Sequence, residues 1–313
     1  MIKKRRHHIL PRFYLEGFTS PLKKSILYQY EKGNSKIVKT TPENAAVIKD
    51  YYSFDDPPSE EVENMVEEIL AIVESYSAPV LEKIKEKEEI DDEDRENFSI
   101  FLAYMFTRVP HHRQMTEEIY GKGMKSWLMA LASHKEGFKS EMKKYEENTG
   151  KKIDVPFEKL RKFLADESKY EVRPHPNISL DFVSFGLEIA PIFQDMKWSF
   201  LEATENYKYL TSDNPIYYFD PTAPPGQGIG LINENIEVYF PVSRDLMFFG
   251  CWHNVQGYKK SENNSIKNRN KNTIVNASRF VYSPHYSKGI NKIVQKFIGS
   301  APKIEVTWAG KTL

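Results

Sequence analysis

Apolar residues in the first half of the chain recur at the spacing of helix faces. Between Val62 and Tyr76 they fall at helical intervals, which predicts a helix with one buried side. Ser59 precedes this run and can cap the helix, and the glutamates that follow it suit the positive end of the helix dipole. Pro79 is expected to end or kink the helix, because proline has no main-chain N–H to donate.

A second helix is predicted from roughly Asp92 to Arg108. It is apolar on nearly every side between Phe98 and Phe106, so it should lie in the middle of a helical bundle. Pro110 interrupts the pattern, and further helical segments follow it. They are Met115 to His134, Lys135 to Glu146, Phe157 to Ala165 and Ser179 to Ile192.

The pattern changes near Met196 to short aromatic and β-branched runs separated by turns, which predicts an antiparallel β-meander. Its strands are Trp198 to Ala203, Tyr207 to Ser212, Asn235 to Val242 and Leu246 to Trp252. Near the N-terminus, two strand-like runs flank the turn from Lys32 to Ser35 and predict a hairpin. Helices are predicted over 264–278 and 286–298, followed by a last strand over 303–308.

Together these patterns predict an α+β fold, in which a helical bundle in the middle packs with an antiparallel β-meander and an N-terminal hairpin. Residues 1–196 should hold the hairpin and the bundle, and residues 197–313 the β-rich basic part with its C-terminal helices. The two parts form a single domain if the hairpin pairs with the C-terminal sheet. A chain of 313 residues can bury a substantial core in either arrangement.

Charge is balanced over the whole chain, with 44 basic and 44 acidic residues, so net charge indicates no particular partner. Its distribution is uneven, because acidic residues dominate 55–96 and basic residues dominate beyond Gly257, so that one face can be positive. The lone Cys251 allows no internal disulfide and no cysteine-rich zinc site. The chain lacks an apolar signal segment behind Met1 and any apolar run of about 20 residues, so we expect a cytoplasmic protein without a membrane partner.

Three motifs along the chain resemble those of one protein family. The segment from His8 to Phe18 has the spacing His-x-x-Pro-x-x-Tyr-Leu-x-x-Phe, the second motif is Arg108-Val109-Pro110, and the third is Thr211-Ser212-Asp213-Asn214-Pro215 with Pro241-Val242-Ser243 after it. In this order they resemble the largely microbial family catalogued as domain of unknown function 4238, from His8 to about Pro284. The resemblance implies no established activity and supplies no catalytic residues.

Asp213 comes at the end of a predicted strand, shortly before Pro215, which prevents further strand pairing. In one interpretation Asp213 is a catalytic general base or a ligand for a divalent metal such as Mg²⁺ or Mn²⁺. In the other it forms an Asx-turn, in which its carboxylate accepts main-chain N–H groups.

His8 follows a basic run, so it can transfer protons near neutral pH or, when protonated, meet a phosphate. Arg12 would lie beside it as an anion clamp that binds substrate. Alternatively, His8 is an interior side chain whose hydrogen bonds hold the N-terminus in place.

Arg108 ends the apolar second helix, so its charge must emerge there or pair with a carboxylate, for which Glu74 is the candidate. Alternatively, Arg108 acts with His111 or His112 in a pair similar to the Arg-x-x-x-His motif of metal-independent ribonucleases of helical-bundle fold. The arginine would then stabilise a phosphorane and the histidine would transfer the proton. Pro110 departs from that motif.

The predicted helix over 264–278 has asparagines at four-residue intervals on one face, with lysines beside them. Lys271, Asn272 and Asn276 are therefore candidates for binding sugar or phosphate. Aromatic residues that flank the helix are candidates for stacking on bases, namely Trp252, Tyr258, Phe280 and Tyr282. The alternative is a solvated polar face with its aromatics in the core.

Two hypotheses of function follow. In the first, His8, Arg108 and Asp213 meet in one cleft of a bacterial nuclease-like enzyme or effector that cleaves phosphodiesters. In the second, the protein is a non-enzymatic module that binds nucleic acid or another protein. The chain has no phosphate loop, dinucleotide fingerprint, nucleophile elbow or His-Glu-x-x-His motif, which argues against ATPases, common dehydrogenases, α/β-hydrolases and zincins.

Overall fold

The computed structural model describes residues 5–20, 25–54, 57, 59–175, 177–178, 180, 185–224 and 227–301. Contacts divide the chain into two compact units, of which the first comprises Met1–Arg113 with Leu180–Ile304 and the second Gln114–Ser179 with Glu305–Leu313. The boundary predicted near residue 196 falls within the first unit and stays a prediction about independent folding. The strand predicted over 303–308 lies outside the described residues.

The described helices agree with most of the predicted ones, with ends shifted by a few residues. They are α1 (Arg12–Glu16), α2 (Glu60–Glu86), α3 (Asp92–Thr107), α4 (Pro110–Ser133), α5 (Lys135–Thr149), α6 (Phe157–Leu164), α7 (Gly186–Asp195), α8 (Asn263–Asn276) and α9 (Lys288–Phe297). The helix predicted over 179–192 is described only from Gly186 onward, because 179 and 181–184 lie outside the described residues.

Of the two outcomes predicted for Pro79, an end of the helix is wrong, because α2 continues past Pro79 to Glu86. Proline leaves the carbonyl four residues earlier, that of Ser75, without its helical partner. Both Pro79 and Ser75 are exposed, so this carbonyl lies on the side of the helix that water reaches. Val80, Leu81 and Ile84 follow on the buried side and keep the last turns packed.

Helix α3 lies in the core of the first unit, as its apolar surface predicted. A reciprocal capping box joins Asp91 and Asp94 at its start, and Lys83 of α2 pairs with Asp94 at 2.7 Å. Every residue from Phe101 to Thr107 is buried. The helix packs against α2 and α7, so the predicted helical core is present.

The described strands form three sheets. They are β1 (Arg6–His8), β2 (Leu27–Glu31), β3 (Asn34–Thr40), β4 (Val47–Lys49), β5 (Lys197–Glu202), β6 (Thr211–Ser212), β7 (Tyr217–Phe219), β8 (Glu237–Ser243), β9 (Leu246–Cys251), β10 (Tyr258–Lys260) and β11 (Phe280–Ser283). The sheet orders are β1-β4, β10-β5-β9-β8-β7 and β3-β2-β11-β6. These helices and mainly antiparallel sheets confirm the α+β class.

The predicted meander is only partly right. Strands β5, β9 and β8 pair antiparallel as predicted, but the segment from Tyr207 to Ser212 contributes only β6, which belongs to the four-stranded sheet. The main chain just before β6 forms hydrogen bonds outside that sheet. The N–H of Tyr209 donates to the carbonyl of Arg244, and the N–H of Leu210 donates to the side chain of Asn270. The sequence pattern predicted a strand in this segment but not the strand β11 with which it pairs.

The predicted N-terminal hairpin is present as β2 and β3, which pair antiparallel. Strand β2 also pairs with β11, so the hairpin joins the strand that follows α8. Helix α9 packs against β2 and β3. Residues from both ends of the sequence therefore share one sheet in the first unit.

The second unit contains α5 and α6 and most of α4. The rings of Phe138 and Phe157 contact each other at 5.5 Å between centroids, and Arg161 donates to the carbonyl of Ala132 at 3.0 Å. Over the described residues of both units, no helix combines the length and apolar character that crossing a bilayer requires.

Candidate functional site

The opening motif is joined to the third motif through the hydroxyl group of Tyr14. Tyr14 is fully buried in α1, and its hydroxyl donates to the carbonyl of Pro241 at 2.8 Å. The same oxygen lies 2.7 Å from the Thr211 hydroxyl, which therefore donates to it. The Tyr14 ring stacks on Phe240 at 5.1 Å. The family motifs thus meet in a buried hydrogen-bond network.

Asp213 accepts main-chain N–H groups, as the structural interpretation expected, but they belong to a distant segment rather than to a local Asx-turn. Its carboxylate accepts main-chain N–H groups from Ser278, Arg279 and Phe280, at 2.8, 2.8 and 3.0 Å. Asp213 is 2% exposed and fixes the chain between α8 and β11. Burial raises its pKa to about 6, although the main-chain donors act to lower it.

His8 lies on β1 and contributes mainly its main chain. Its carbonyl accepts from Arg108 Nη2 at 2.8 Å, and its ring Nε2 lies 3.2 Å from the carbonyl of Glu43. The neighbouring His7 is buried, and its Nδ1 accepts the N–H of Tyr52 at 2.7 Å. These contacts hold the N-terminal segment in place.

Arg108 is 3% exposed and forms the predicted ion pair with Glu74, at 2.8 Å. Its guanidinium also donates to the Tyr52 hydroxyl at 3.2 Å and to the carbonyl of His8. Burial acts to lower the pKa of Arg108, but Tyr52 and Glu74 outweigh it, so the pKa is raised and the side chain stays charged. The charge of Arg108 is therefore balanced internally.

The two histidines after Arg108 differ in environment. His111 is exposed, whereas His112 is buried and packs on Phe106 with 3.8 Å between ring centroids. Burial, with a smaller contribution from His111, lowers the pKa of His112 to about 3. His112 is therefore neutral at pH 7, which does not suit proton transfer at that pH.

The structure brings His8 and Arg108 together, two of the three predicted catalytic residues. Their contact is made by the main-chain carbonyl of His8 and not by its imidazole ring. Asp213 lies elsewhere, and within the described residues it makes no hydrogen bond to His8 or Arg108. Arg12 pairs with Glu16 and Glu43, at 3.0 and 2.9 Å. No cluster of three or more metal-ligating side chains occurs among the described residues.

A cleft lies between α8 and the edge of the five-stranded sheet, where β7 is the outermost strand. Its volume is about 210 Å³. Six residues line it: Phe219, Tyr239, Ser265, Asn268, Arg269 and Asn272. It therefore combines an aromatic wall, amide groups and a guanidinium.

Neighbouring strands build the aromatic wall. Tyr239 of β8 lies opposite Tyr217 of β7, and its ring is nearly parallel to those of Tyr217 and Phe219, at 5.2 and 5.8 Å. Tyr239 and Tyr217 are buried, while Phe219 is partly exposed and presents its ring to the cleft. Burial, together with Glu237, raises the pKa of Tyr239, so its phenol is neutral.

Cations and aromatic rings alternate around α8. Lys267 lies 4.5 Å from the Tyr207 ring centroid, Arg269 5.7 Å from that of Tyr239, and Lys271 4.7 Å from that of Phe297. In the part of the chain that the structure describes, none of these cations has an ion-pair partner. We call Tyr207, Phe219, Tyr239, Phe297 and the three cations the α8 surface.

The predicted binding residues on α8 take different positions. Asn272 lines the cleft and Lys271 is exposed, whereas Asn276 donates to the carbonyl of Asn272 at 2.9 Å within the helix. The aromatics predicted to stack on bases do not line the cleft; for example, Tyr258 stacks on Phe200. Sequence reasoning missed Phe219 and Tyr239, whose only signal was their alternation with neighbours on short strands.

The model of the family described as Protein of unknown function (DUF4238) matches residues 6–294 of the chain. No curated protein and no solved structure matches it. The family match covers all three motifs, including the network in which Tyr14 joins Thr211 to Pro241. The chain therefore belongs to this family of proteins of unknown function.

Proposed function

We propose that the protein binds single-stranded nucleic acid through the α8 surface. The observation that carries this proposal is the alternation of cations with aromatic rings around one helix. The rings of Tyr207, Phe219 and Phe297 are partly exposed, and that of Tyr239 is buried behind Phe219. Cations contact the phosphate backbone, and aromatic faces accept unstacked bases of any sequence. This combination is typical of single-strand binding, in which stacking contributes about 1–3 kcal/mol per base.

The electrostatics of this region favour a polyanion. Lys267, Arg269 and Lys271 have no ion-pair partner among the described residues, so phosphates can approach them without first breaking a protein ion pair. Glu237 lies beside the wall, and its carboxylate accepts the Tyr239 hydroxyl at 2.8 Å. We expect the phosphates to follow the cations of α8 rather than the Glu237 side of the sheet.

Phosphodiester cleavage by His8, Arg108 and Asp213 stays a separate prediction. Asp213 uses its carboxylate on three main-chain N–H groups, and Arg108 pairs with Glu74. These contacts support a structural role for both residues, so binding is the better supported function. Incubation with single- and double-stranded DNA and RNA, with and without Mg²⁺ or Mn²⁺, tests cleavage directly. We expect intact strands.

Fluorescence anisotropy with a labelled single-stranded 12-mer tests binding. Phe219→Ala removes the exposed ring of the wall, and we expect about tenfold to a hundredfold weaker binding, since stacking on one ring is lost. Phe163→Ala is the matched control, because Phe163 is an exposed phenylalanine on α6, outside the α8 surface. Equal affinities for wild type and Phe219→Ala, or no binding by wild type at low salt, would contradict the proposal.

A further inference from the structure

The asparagines of α8 divide into two groups by their hydrogen bonds. Asn270 accepts from the N–H of Leu210 and donates to the carbonyl of Lys208, and Asn263 accepts the Thr204 hydroxyl at 2.7 Å. Asn276 donates within the helix. These three amides hold the fold.

Asn268 and Asn272 belong to the second group, together with Asn264, which is exposed and does not line the cleft. Within the described residues, neither the amide of Asn268 nor that of Asn272 has a hydrogen-bond partner, and both line the cleft beside Arg269. They are four positions apart and so lie on the same face of α8. Two side-chain amides without a hydrogen-bond partner among the described residues therefore line the cleft next to the Phe219 ring.

The dimensions of the cleft restrict what can fill it. At about 210 Å³ it is smaller than the 300–1,000 Å³ typical of sites that enclose a whole small molecule. A space of this size suits one planar group stacked on Phe219. A base would have to unstack from its neighbours in the strand before it entered the cleft. Its edge would then face the amides of Asn268 and Asn272.

We propose that the cleft holds one unpaired nucleobase and reads its edge through Asn268 and Asn272, with a preference for adenine. This inference rests on the proposed function, since the base is delivered by a strand bound to the α8 surface. A carboxamide offers an acceptor beside a donor, and adenine presents a matching donor and acceptor on two of its edges, N6–H with N7 and N6–H with N1. Of the same two edges, an unpaired cytosine, thymine or guanine presents such a pair on the Watson–Crick edge alone. Guanine presents two adjacent acceptors on its N7 edge, which suit an arginine. Arg269 also lines the cleft, but its guanidinium lies beside the Tyr239 ring and donates to the Ser261 hydroxyl at 3.5 Å, so the two amides are the groups left to read the base.

Labelled 12-mers of thymine test the preference, one of them with a single central adenine and another with a single central cytosine. A strand can shift its register on the surface, so the cleft can find the adenine wherever it lies. For wild type we expect the adenine strand to bind about fivefold to a hundredfold more tightly than the all-thymine strand.

Asn268→Leu and Asn272→Leu remove one amide each and keep the approximate side-chain size. Asn268 is exposed, so its replacement tests the amide without disturbing the core. We expect both variants to lose the adenine preference, so that each binds the adenine and the all-thymine strands with equal affinity. Urea unfolding, followed by circular dichroism, shows that they fold. Asn264→Leu is the matched control, because Asn264 is exposed on the same helix and does not line the cleft.

The outcomes separate this inference from the function on which it rests. Equal affinity of wild type for all three strands, or an adenine preference that survives both leucine variants, overturns the base-reading inference and leaves strand binding standing. A tighter complex with the cytosine strand than with the adenine strand overturns the assignment of the base. Failure to bind any strand overturns the proposed function as well.

Discussion

Replacing Tyr14 by phenylalanine removes a single hydroxyl group from the network that joins the family motifs. The ring stays, so its packing on Phe240 is retained. Two buried groups lose their partner, namely the hydroxyl of Thr211 and the carbonyl of Pro241. Because neither group reaches water, each loss includes the cost of leaving a polar group unsatisfied.

The magnitude follows from these two contacts. A buried group left without a hydrogen bond costs about 1–3 kcal/mol, so we expect Tyr14→Phe to lower the free energy of unfolding by about 2–4 kcal/mol. For a chain of this length that corresponds to a melting temperature roughly 3–6 °C lower. Urea unfolding, followed by circular dichroism, measures the change.

A double-mutant cycle with Thr211→Val identifies the cause. In the Tyr14→Phe background the valine removes the hydroxyl that would otherwise be unsatisfied, so the two losses should not add. We expect the double variant to be more stable than the sum of the single effects by about 1–2 kcal/mol. Tyr286→Phe is the control and should stay within about 0.5 kcal/mol of wild type, since Tyr286 is 57% exposed. Additive losses, or a Tyr14→Phe variant as stable as wild type, would refute the role of this network.

Two further predictions concern the other motifs. Glu74→Gln leaves the buried charge of Arg108 without its carboxylate and should lower the free energy of unfolding in urea by about 2–3 kcal/mol. The loss is smaller than for a fully buried pair because Glu74 is partly exposed. Unchanged stability would contradict the pairing. The pKa of Asp213 is about 6 when folded against 3.8 when unfolded, so the folded chain binds the proton more tightly and this contribution to stability is lost as pH rises from about 4 to about 6. Relative to Asp213→Asn, wild type should therefore lose about 2 kcal/mol between these pH values in urea unfolding, and a constant difference would contradict the role of burial.

Local patterns along the chain predicted the parts of the fold that depend on neighbouring residues. The apolar stripe of α2 and the apolar surface of α3 follow from helical periodicity, and the predicted order of these helices suggested the pairing of Glu74 with Arg108. The sequence left open whether α2 ends at Pro79, because the cost of the missing N–H depends on whether water reaches the freed carbonyl. Exposure of that carbonyl is a property of the folded chain.

The candidate site was only partly predictable for a related reason. The polar and basic face of α8 is visible in the sequence, whereas the ring beside it comes from β7, a strand of three residues. Phe219 reaches the cleft because β7 pairs with β8 at the sheet edge, and a pairing between distant segments leaves no local signal. Equally, Asp213 was assigned alternative roles because only the fold shows which N–H groups surround it.

The salt dependence of single-strand affinity tests the central claim most directly. We predict that the logarithm of the association constant falls with the logarithm of salt concentration, between about 50 and about 200 mM, with a slope of about −2 or steeper, since three cations contact phosphates. Combined replacement of Lys267, Arg269 and Lys271 by glutamine should weaken binding and reduce the steepness by about 2. Replacement of Lys139 and Lys143, on α5, should change neither. Binding that is absent at low salt, or a slope that the α8 replacements leave unchanged, would contradict the account.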